Sequence, residues 1–302
     1  MRVAITGANG VLGGFLAERF AEHGVRVTGL GSAGPTSSGV DRWVSGRLDG
    51  SSTPAALWAN LLDGADACIH CAFDHVPNRY RQGEGTDPQR FWARNLGNTL
   101  ALLEAAVAHG LARTLLISSR AVYDGYGASA EPPIKLTDDA APRPTTHYGA
   151  LKAAEEALAT RYSAETALTV SALRATGIYG IRQPLERSKW FALVRNLEAG
   201  RPPTPRSATE VHGHDLADAA LLVLGRSAEQ VGGRVFNCSD VLVTNATLTT
   251  LFNQISGTRV AQPEPGAEPR VQLDPRALRT LGWQPRGLAG VEATIRTLLG
   301  RD

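Results

Sequence analysis

The chain is poor in cysteine, carries almost no net charge and contains no long apolar run, and each scarcity excludes a class of protein. Its 302 residues include three cysteines, too few for the disulfide framework of a small secreted domain. The 31 Lys and Arg residues nearly balance the 29 Asp and Glu residues, so the net charge is only +2. This balance gives no electrostatic basis for binding nucleic acid or an anionic membrane.

The apolar segments are also too short to cross a membrane. None approaches the ~18 consecutive apolar residues that suggest a transmembrane helix. At the N-terminus only Arg2 precedes a short apolar run, which stops at Gly7 without the small-residue cleavage site of a signal peptide. A content of 43% hydrophobic and 20% charged residues is typical of a globular protein. We therefore expect a cytoplasmic protein with no membrane or nucleic-acid partner.

Two of the cysteines, Cys68 and Cys71, form a Cys-x-x-Cys pattern, which is shared by redox pairs and by halves of zinc sites. They lie in an apolar run of strand length, and no second Cys/His pair follows at zinc-finger spacing. Buried structural cysteines are commoner than reactive ones. We therefore assign no metal site.

The first half of the chain alternates between segments of strand and helix character. The predicted strands are short apolar runs at 2–6, 25–30, 42–45, 67–72, 114–118 and 168–173. The predicted helices lie at 11–23, 54–62, 91–109 and 148–162. Strands that alternate with helices form βαβ units, so we predict an α/β protein with a doubly wound parallel sheet of the Rossmann type.

The pattern changes after Arg174, where prolines, arginines and shorter helical segments follow. We predict helices at 188–199, 215–224, 274–281 and 290–299, and a strand at 234–238. The chain thus divides into residues 1–176, which hold the parallel sheet, and a smaller C-terminal domain of residues 177–302. We expect residues 211–238 to return to the first sheet.

The first motif that carries chemistry lies between the first predicted strand and helix. Gly7, Gly10 and Gly13 recur at intervals of three and open the helix. A tight turn and a close approach of the backbone to a pyrophosphate both require residues without side chains, and the N–H groups of the helix start then bind the phosphates. A glycine pattern alone is weak evidence, but here the strand–turn–helix context supports it. The motif therefore predicts a dinucleotide site.

The second motif is Tyr148 and Lys152, four residues apart in a predicted helix, so that their side chains share one face. A free phenol has a pKa near ~10 and is a poor base at neutral pH, but a neighbouring ammonium stabilises the phenolate. This spacing alone also fits an ordinary surface helix. Two features favour a catalytic role for the pair. Ser118 and Ser119 end a strand, where open α/β sheets place their sites, and Asn95 opens the helix before that strand.

These motifs resemble those of the extended short-chain dehydrogenase/reductase family, in its NAD-dependent epimerase/dehydratase group, which includes UDP-galactose 4-epimerase. The matching segments cover nearly the whole chain in family order, at residues 6–13, 48–49, 95, 118–123, 148–152, 173–180, 211–217 and 281–285. His212 and His214 fall in one of these segments, and their place in it indicates a structural turn rather than a metal site.

The resemblance implies an oxidoreductase that moves hydride between a nicotinamide and a hydroxyl carbon of a sugar or nucleotide-sugar. Tyr148 would take the proton of the substrate hydroxyl and return it in reduction. Lys152 would tune Tyr148 and hydrogen-bond the nicotinamide ribose, while Ser119 would hydrogen-bond the reacting oxygen. Asn95 would support the site or relay a proton. The resemblance also implies a homodimer, formed through the predicted helices 91–109 and 148–162.

The resemblance further implies that residues 1–176 bind NAD(P) and that residues 177–302 bind the substrate. The implied cofactor-binding residues are Gly7, Asn9, Gly10, Val11, Leu12, Gly13, Ser32, Leu48, Asp49, Cys71, Ala72, Phe73, Asn95, Ser118, Tyr148, Lys152, Ala175, Gly177 and Ile178.

The sequence departs from the family where the cofactor ribose would bind. An NAD-binding chain ends its second strand with an acid that bonds the ribose 2′-OH, but here Gly31 stands at that position and Ser32 follows. A missing carboxylate removes the repulsion of a 2′-phosphate, and Arg42 is the nearest downstream arginine. The sequence leaves NAD or NADP open and slightly favours NADP.

Other departures concern the substrate and the reaction. The 4,6-dehydratases have Thr-Asp-Glu where this chain has Ser119-Arg120-Ala121, so dehydration is disfavoured. Four arginines are candidates for binding a diphosphate or a carboxylate, although charged residues are mostly exposed and we expect most of these at the solvated surface: Arg182, Arg187, Arg195 and Arg206.

Three outcomes remain open from the sequence. An epimerase would regenerate its cofactor in each turnover, whereas a dehydrogenase or reductase would release it changed. The alternative is a catalytically silent NADP-binding regulatory protein. We disfavour that alternative because the four residues of the implied catalytic set, Asn95, Ser119, Tyr148 and Lys152, are all present.

Overall fold

The structure, a computed structural model, describes residues 1–76, 79, 82–128 and 133–301. The strands within them are β1 (Arg2–Thr6), β2 (Arg26–Gly31), β3 (Arg42–Ser45), β4 (Ala67–His70), β5 (Arg113–Ser119), β6 (Ile134–Leu136), β7 (Thr169–Ala175), β8 (Gly177–Tyr179), β9 (Ser207–His212), β10 (Val235–Cys238), β11 (Val241–Thr244) and β12 (Val271–Leu273). The α-helices are α1 (Val11–Glu22), α2 (Ala55–Leu62), α3 (Pro88–Ala108), α4 (His147–Glu165), α5 (Phe191–Glu198), α6 (Gly213–Leu224), α7 (Ala228–Val231), α8 (Asn245–Ser256), α9 (Arg276–Thr280) and α10 (Leu288–Leu298).

Seven strands form a central sheet in the order β10-β7-β5-β4-β1-β2-β3. Each neighbouring pair is parallel. The chain builds outwards from β1 through β2 to β3 and then returns to the other side of β1 with β4. This reversal makes the carboxyl ends of β1 and β4 the switch point at which open α/β sheets bind ligands. The predicted doubly wound α/β fold is confirmed.

Helices cover both faces of the sheet, which explains why its strands are apolar along their whole length. On one face Leu16 and Phe20 of α1 pack with Leu216 of α6. On the other face Leu102 of α3 and Ala159 of α4 pack with residues of α2 and the sheet. Among the described residues, no helix is long and apolar enough to cross a membrane.

The C-terminal part of the chain contributes both to the sheet and to a separate layer. Strand β10 pairs with β7, and α6 packs against α1, where Arg19 bonds Asp218 with its Nε 2.7 Å from Oδ1. Strands β8, β9 and β11 form a second sheet, and Trp190, Phe252 and Val291 belong to a core shared by α5, α8 and α10. The domain boundary at residue 176 stays a prediction.

Most predicted elements shift by only a few residues, and two differences have physical causes. Strand β4 ends at His70 and not at residue 72, because the N–H groups of Cys71 and Ala72 donate to the Thr6 hydroxyl. The parallel pair of β6 and β12 was not predicted. Each strand has three residues, too few to show a period of two.

A buried ion pair joins α4 to β7, next to the edge strand of the sheet. Arg174 of β7 donates to both carboxylate oxygens of Glu156, at 2.8 and 2.7 Å, and the Ser118 hydroxyl donates to the same carboxylate at 2.5 Å. Burial acts to lower the pKa of Arg174, but Glu156 raises it and the net direction is upward. The guanidinium also donates to the Tyr123 hydroxyl and, at 2.9 Å, to the carbonyl oxygen of Asp138. All charges in this network therefore have partners.

Replacing Glu156 with alanine should lower the free energy of unfolding by about 3 to 5 kcal/mol, because Arg174 would keep its buried charge without a carboxylate. Urea denaturation followed by circular dichroism measures the change. The control is Glu165→Ala on the same helix, whose half-exposed carboxylate pairs with Arg161 and should contribute less than about 1 kcal/mol. Equal losses in the two variants would contradict the assignment.

Candidate active site

The turn after β1 brings three strand ends together. Gly7 has φ +68°, its N–H donates to the Leu30 carbonyl at the end of β2, and a Cβ there would lie 2.9 Å from the backbone of Ala72. A Cβ at Gly13 would overlap the carbonyl oxygen of Gly7. Glycine at these two positions is therefore a steric requirement of the turn.

The start of α1 is open towards solvent. Gly10 caps the helix without any side-chain hydrogen bond, is exposed, and would place a Cβ near only one atom, the Gly7 carbonyl oxygen at 3.1 Å. Free N–H groups and the positive end of the helix dipole together attract an anion. The N–H of Gly10 donates to the Gly7 carbonyl at 2.9 Å, so the N–H groups of Val11 and Leu12 are the ones that would hold the pyrophosphate of a dinucleotide, and the cradle fits such a group.

Asn9 ties the loop after β2 to this turn. Its Nδ2 donates to the Gly34 carbonyl at 2.8 Å, and its Oδ1 accepts from the Thr36 N–H at 3.0 Å. Ser32, which lies between the end of β2 and Gly34, is exposed. A Cβ at Gly31 would lie 2.9 Å from the indole of Trp43, so this ring fills the space beside the position where the family has an acid.

Arg42 does not lie where a cofactor phosphate would bind. It begins β3 at the end of the strand opposite the glycine turn, and its guanidinium reaches the Asn60 carbonyl at 2.5 Å and the Asp63 carboxylate at 3.8 Å. Arg42, the nearest downstream candidate in the sequence, is therefore excluded as a partner of a 2′-phosphate. A different arginine, Arg187, donates to the carbonyl oxygen of Asn9 at 2.9 Å.

The Thr6 hydroxyl fixes the chain as it leaves β4. It accepts the N–H groups of Cys71 and Ala72, both at 3.1 Å, and lies 2.8 Å from Nδ1 of His70. Burial, with a smaller contribution from Lys152, lowers the pKa of His70 to about 3, so the ring is neutral and Nδ1 can accept the hydroxyl proton. Burial also raises the pKa of Cys71 to about 12, which keeps its thiol protonated.

Asn95 holds the chain after β4 at Asp74, although the resemblance also allowed it a proton-relay role. Its Oδ1 accepts from the Asp74 N–H at 2.7 Å, and its Nδ2 donates to the carbonyl oxygens of Asp74 and Phe91, both at 2.9 Å. Arg94 beside it bridges the carboxylates of Asp49, at 2.7 Å, and Asp74, at 2.9 Å. The side chain of Asn95 therefore anchors the segment after β4.

Phe73, in that anchored segment, contacts both members of the predicted catalytic pair. Its ring centre lies 5.2 Å from that of Tyr148 in an edge-to-face arrangement, and 5.3 Å from Nζ of Lys152. Tyr148 is half-buried and Lys152 is 6% exposed. The expected shared face of Tyr148 and Lys152 thus points at the carboxyl end of β4.

Ser119 completes the group from the next strand. It ends β5 in register with Ala175 at the end of β7, and its Oγ accepts from the Ala121 N–H at 3.2 Å. A Cβ at Gly149 would lie 2.5 Å from the Ala121 carbonyl, so the start of α4 packs directly against the residues that follow Ser119. Ser118, in contrast, commits its hydroxyl to Glu156, and its implied contact with the cofactor stays a prediction.

A second group of charged side chains lies at the start of β8. Lys189 pairs with the buried carboxylate of Glu210, and this pair packs directly on Gly177. Arg206 lies 3.9 Å from the same carboxylate, and Arg120 donates to the Thr209 hydroxyl at 3.3 Å. Burial lowers the pKa of Lys189, and the two arginines contribute to the lowering against the opposing effect of Glu210.

A model of the NAD dependent epimerase/dehydratase family matches residues 3–239. The chain belongs to this family. A UDP-glucose 4-epimerase of Corynebacterium glutamicum is 26% identical over 94% of this chain and 91% of its own length. A dTDP-glucose 4,6-dehydratase of Streptomyces niveus is 27% identical over 99% of this chain and 92% of its own length.

Solved structures share the fold of this family member over nearly its full length. MoeE5 in complex with UDP-glucuronic acid and NAD superposes with a TM-score of 0.78 at 25% identity, covering 100% of this chain and 99% of that one. A UDP-glucose 4-epimerase from Thermotoga maritima with UDP-glucose gives a TM-score of 0.78 at 19% identity, covering 99% of each chain. The Rossmann-type fold and the epimerase/dehydratase family predicted from sequence are thus confirmed.

The four arginines singled out for substrate binding occupy different places in this family member. Arg187, Arg195 and Arg206 are exposed, as expected for most of them. Arg182 is buried: it pairs with Glu18 at 2.5 Å and covers the ring of Phe15 at 4.8 Å. Arg182 therefore attaches the C-terminal part of the chain to α1 and is not available to a substrate.

The His-x-His pattern belongs to the same junction. Nδ1 of His212 accepts from the His214 N–H at 3.1 Å and lies 2.6 Å from the Arg286 guanidinium. Burial, together with the charge of Arg286, lowers the pKa of His212 to about 3, so its ring is neutral. Within the described part of the chain, no group of three or more His, Cys, Asp and Glu side chains is arranged to hold a metal.

Several residues of the site carried no signal in the sequence. Two of them are Trp43, which packs on Gly31, and Glu210, which pairs with Lys189. Both contacts join segments that are far apart in the sequence. Thr6 did offer a signal, because it is a polar residue that ends an otherwise apolar strand directly before the glycine turn. Polar residues at such strand ends point towards the switch point.

Gly10→Ala should weaken the binding of NAD(H) at least about tenfold, roughly 1.4 kcal/mol, because the added methyl group projects into the open cradle. The thermal midpoint should fall only slightly, since φ −67° suits any residue and the new Cβ would meet a single backbone atom, the Gly7 carbonyl oxygen at 3.1 Å. Isothermal titration calorimetry measures the affinity. Gly127→Ala, at a position with nothing within 4 Å, is the control that should bind normally. Unchanged affinity in Gly10→Ala would place the cofactor elsewhere.

Proposed function

We propose that the protein is an NAD(P)-dependent oxidoreductase acting on a hydroxyl carbon of a sugar or nucleotide-sugar, as an epimerase or as a dehydrogenase or reductase. The observation that supports this most is that Tyr148 and Lys152 contact Phe73 next to the glycine cradle, while Ser119 ends the neighbouring strand β5 at the same carboxyl edge of the sheet, where α4 begins. Enzymes of this fold place their reacting groups at that edge.

In the proposed mechanism the bound nicotinamide supplies the hydride acceptor or donor. Tyr148 removes the proton of the substrate hydroxyl during oxidation and returns it during reduction. Lys152 stabilises the phenolate by its charge, and Ser119 donates a hydrogen bond to the reacting oxygen. Asn95 acts at a distance from the chemistry, by fixing the segment that carries Phe73.

We propose that the substrate is an anion, held on the side of the cleft formed by Lys189, Arg120 and Arg206. Lys189 and Arg206 both approach the single carboxylate of Glu210 beside Gly177, so positive charge exceeds negative charge in this pair of contacts, and Arg120 lies close enough to lower the pKa of Lys189. A diphosphate suits such a group of donors. The names of the neighbours support a nucleotide-sugar, since MoeE5 is described with UDP-glucose and with UDP-glucuronic acid.

Replacing Tyr148 with phenylalanine should reduce turnover by a factor of roughly 10² to 10⁴, the usual contribution of a positioned acid–base group. Cofactor affinity should stay within about twofold, because the phenol is not part of the glycine cradle and the ring contact with Phe73 is retained. The assay screens UDP-, dTDP- and GDP-sugars with NAD and NADP. Tyr162→Phe, on the same helix, is the matched control. Full activity in Tyr148→Phe would overturn the mechanism.

The same screen separates the open outcomes. Turnover without added cofactor supports an epimerase, and a stoichiometric change in nicotinamide absorbance supports a dehydrogenase or reductase. Release of water from dTDP-glucose would support a dehydratase, which we disfavour because Arg120 and Ala121 follow Ser119 in place of carboxylates. Cofactor binding without turnover on any of these sugars would support the regulatory alternative.

We propose that NADP is slightly favoured over NAD, although the neighbours are described with NAD. Two observations support this. No carboxylate stands at Gly31. Arg187 donates to the carbonyl oxygen of Asn9, the residue whose side chain also bonds the loop after β2. Arg187 is the cation that would face a 2′-phosphate.

Arg187→Ala should therefore weaken NADP about tenfold more than NAD, because only NADP carries the 2′-phosphate. Titration calorimetry with both cofactors measures the ratio. Arg42→Ala, which removes an arginine from the opposite end of the sheet, should leave the ratio unchanged. Tighter binding of NAD than of NADP by the unaltered protein would refute the proposed preference.

We also propose a homodimer through α3 and α4, on the basis of the family resemblance. Multi-angle light scattering tests it, and a monomer at micromolar concentration would refute it.

A further inference from the structure

Lys152 has a carboxylate as its direct partner. Its Nζ donates to Oε2 of Glu155 at 2.8 Å, and Glu155 lies three residues along the same helix. The two side chains are 8% and 4% exposed, so the pair is shielded from water. An ion pair buried in this way interacts more strongly than one at the surface.

The second oxygen of Glu155 is held from the neighbouring helix. The Thr99 hydroxyl shares its single proton between Oε1, at 3.1 Å, and the Asn95 carbonyl oxygen, at 3.2 Å, and Thr99 is fully buried on α3, one turn after Asn95. Both oxygens of the carboxylate are therefore engaged, one by Lys152 and one by Thr99. This arrangement fixes the negative charge between α3 and α4, close to the lysine of the proposed catalytic pair.

The other groups that face Lys152 are His70 and Cys71 at the end of β4, Tyr148 on its own helix, and the ring of Phe73. Burial keeps His70 unprotonated, with a pKa of about 3, and keeps Cys71 a thiol, with a pKa of about 12.

The charge of Lys152 itself depends on its partner. Burial acts to lower the pKa of Lys152, whereas Glu155 first and then Tyr148 raise it, and the net direction is upward. Of the groups named here, Glu155 raises this pKa most, but an ionised Tyr148 raises it as well, so Lys152 remains an ammonium as the phenolate forms.

We propose that Glu155 is a positioning residue that sets the pH range of the reaction, by offsetting the positive charge through which Lys152 stabilises the Tyr148 phenolate. The proposal rests on the Tyr148–Lys152 pair of the proposed function. An isolated ammonium would attract the phenolate strongly, whereas an ammonium paired with a carboxylate has nearly no net charge. Tyr148 then keeps its proton to higher pH, which favours proton donation, the direction of carbonyl reduction.

The test measures the ionisation of Tyr148 without any substrate. The ultraviolet absorbance of tyrosinate is followed during a pH titration of the full chain, and the titration of the Tyr148→Phe variant is subtracted, which removes the other five of the six tyrosines. The same difference is taken in the Glu155→Gln background. Glutamine has the same shape and can still bond Lys152 and Thr99, but it lacks the charge.

In Glu155→Gln the midpoint of the Tyr148 absorbance change should fall by roughly one pH unit. Glu165→Gln, which alters an exposed carboxylate on the same helix, should leave the midpoint unchanged. A midpoint in Glu155→Gln that stays in place or rises overturns the proposal. If this variant does not fold, Glu155→Asp decides the question, because its shorter side chain moves the charge away from Lys152: a smaller fall supports the proposal, and no fall or a rise overturns it.

This readout separates the proposal from the function on which it rests. Full turnover by Tyr148→Phe refutes the proposed function, whatever the titration shows. Loss of turnover in Tyr148→Phe together with an unmoved midpoint in Glu155→Gln refutes only the role of Glu155. Where a substrate turns over, the acid limb of kcat/KM for oxidation should shift with the spectroscopic midpoint.

Discussion

The hydrogen bonds of the Thr6 hydroxyl are the constraint on which the site depends. They draw the chain leaving β4 against the end of β1, and the same contact leaves space only for hydrogen at Gly7. The glycine cradle and the segment that carries Phe73 are thereby fixed relative to each other. Because Phe73 in turn contacts Tyr148 and Lys152, the position of the proposed acid–base pair follows from a bond made at the switch point of the sheet.

Helix α4 carries two adjacent buried carboxylates with different tasks. Glu156 faces the sheet, where Arg174 and Ser118 satisfy it, and it holds the helix to the sheet. Glu155 faces α3 and Lys152, and it determines how much positive charge the Tyr148 phenol experiences. Consecutive helix residues point about 100° apart, so one short segment can serve both stability and chemistry.

The sequence predicts this protein well where the information is local. The alternation of elements, the glycine turn, and the spacing of Tyr148 and Lys152 all depend on neighbours a few residues away, and the fold and family they indicate are confirmed. Contacts between distant segments were not predictable. In the sequence Glu155 is the first of two adjacent glutamates in a predicted helix, a pattern that indicates exposed residues. Only the packing of α3 on α4 shows that it bonds Lys152 and Thr99. Arg42 was the nearest arginine along the chain, yet it lies at the wrong end of its strand.

The central claim is that hydride leaves a substrate carbon while Tyr148 handles the proton of the attached oxygen. The most direct measurement uses a nucleotide-sugar deuterated at the reacting carbon, in a single turnover with the protein in excess, followed by mass spectrometry of both the nicotinamide cofactor and the product. The account predicts that the deuterium stays in the cofactor of a dehydrogenase or returns to the same carbon of an epimerase's product, and that Tyr148→Phe slows this transfer by a factor of roughly 10² to 10⁴. Product formed by the unaltered protein with its deuterium lost to water, or an equal rate of transfer in Tyr148→Phe, would contradict it.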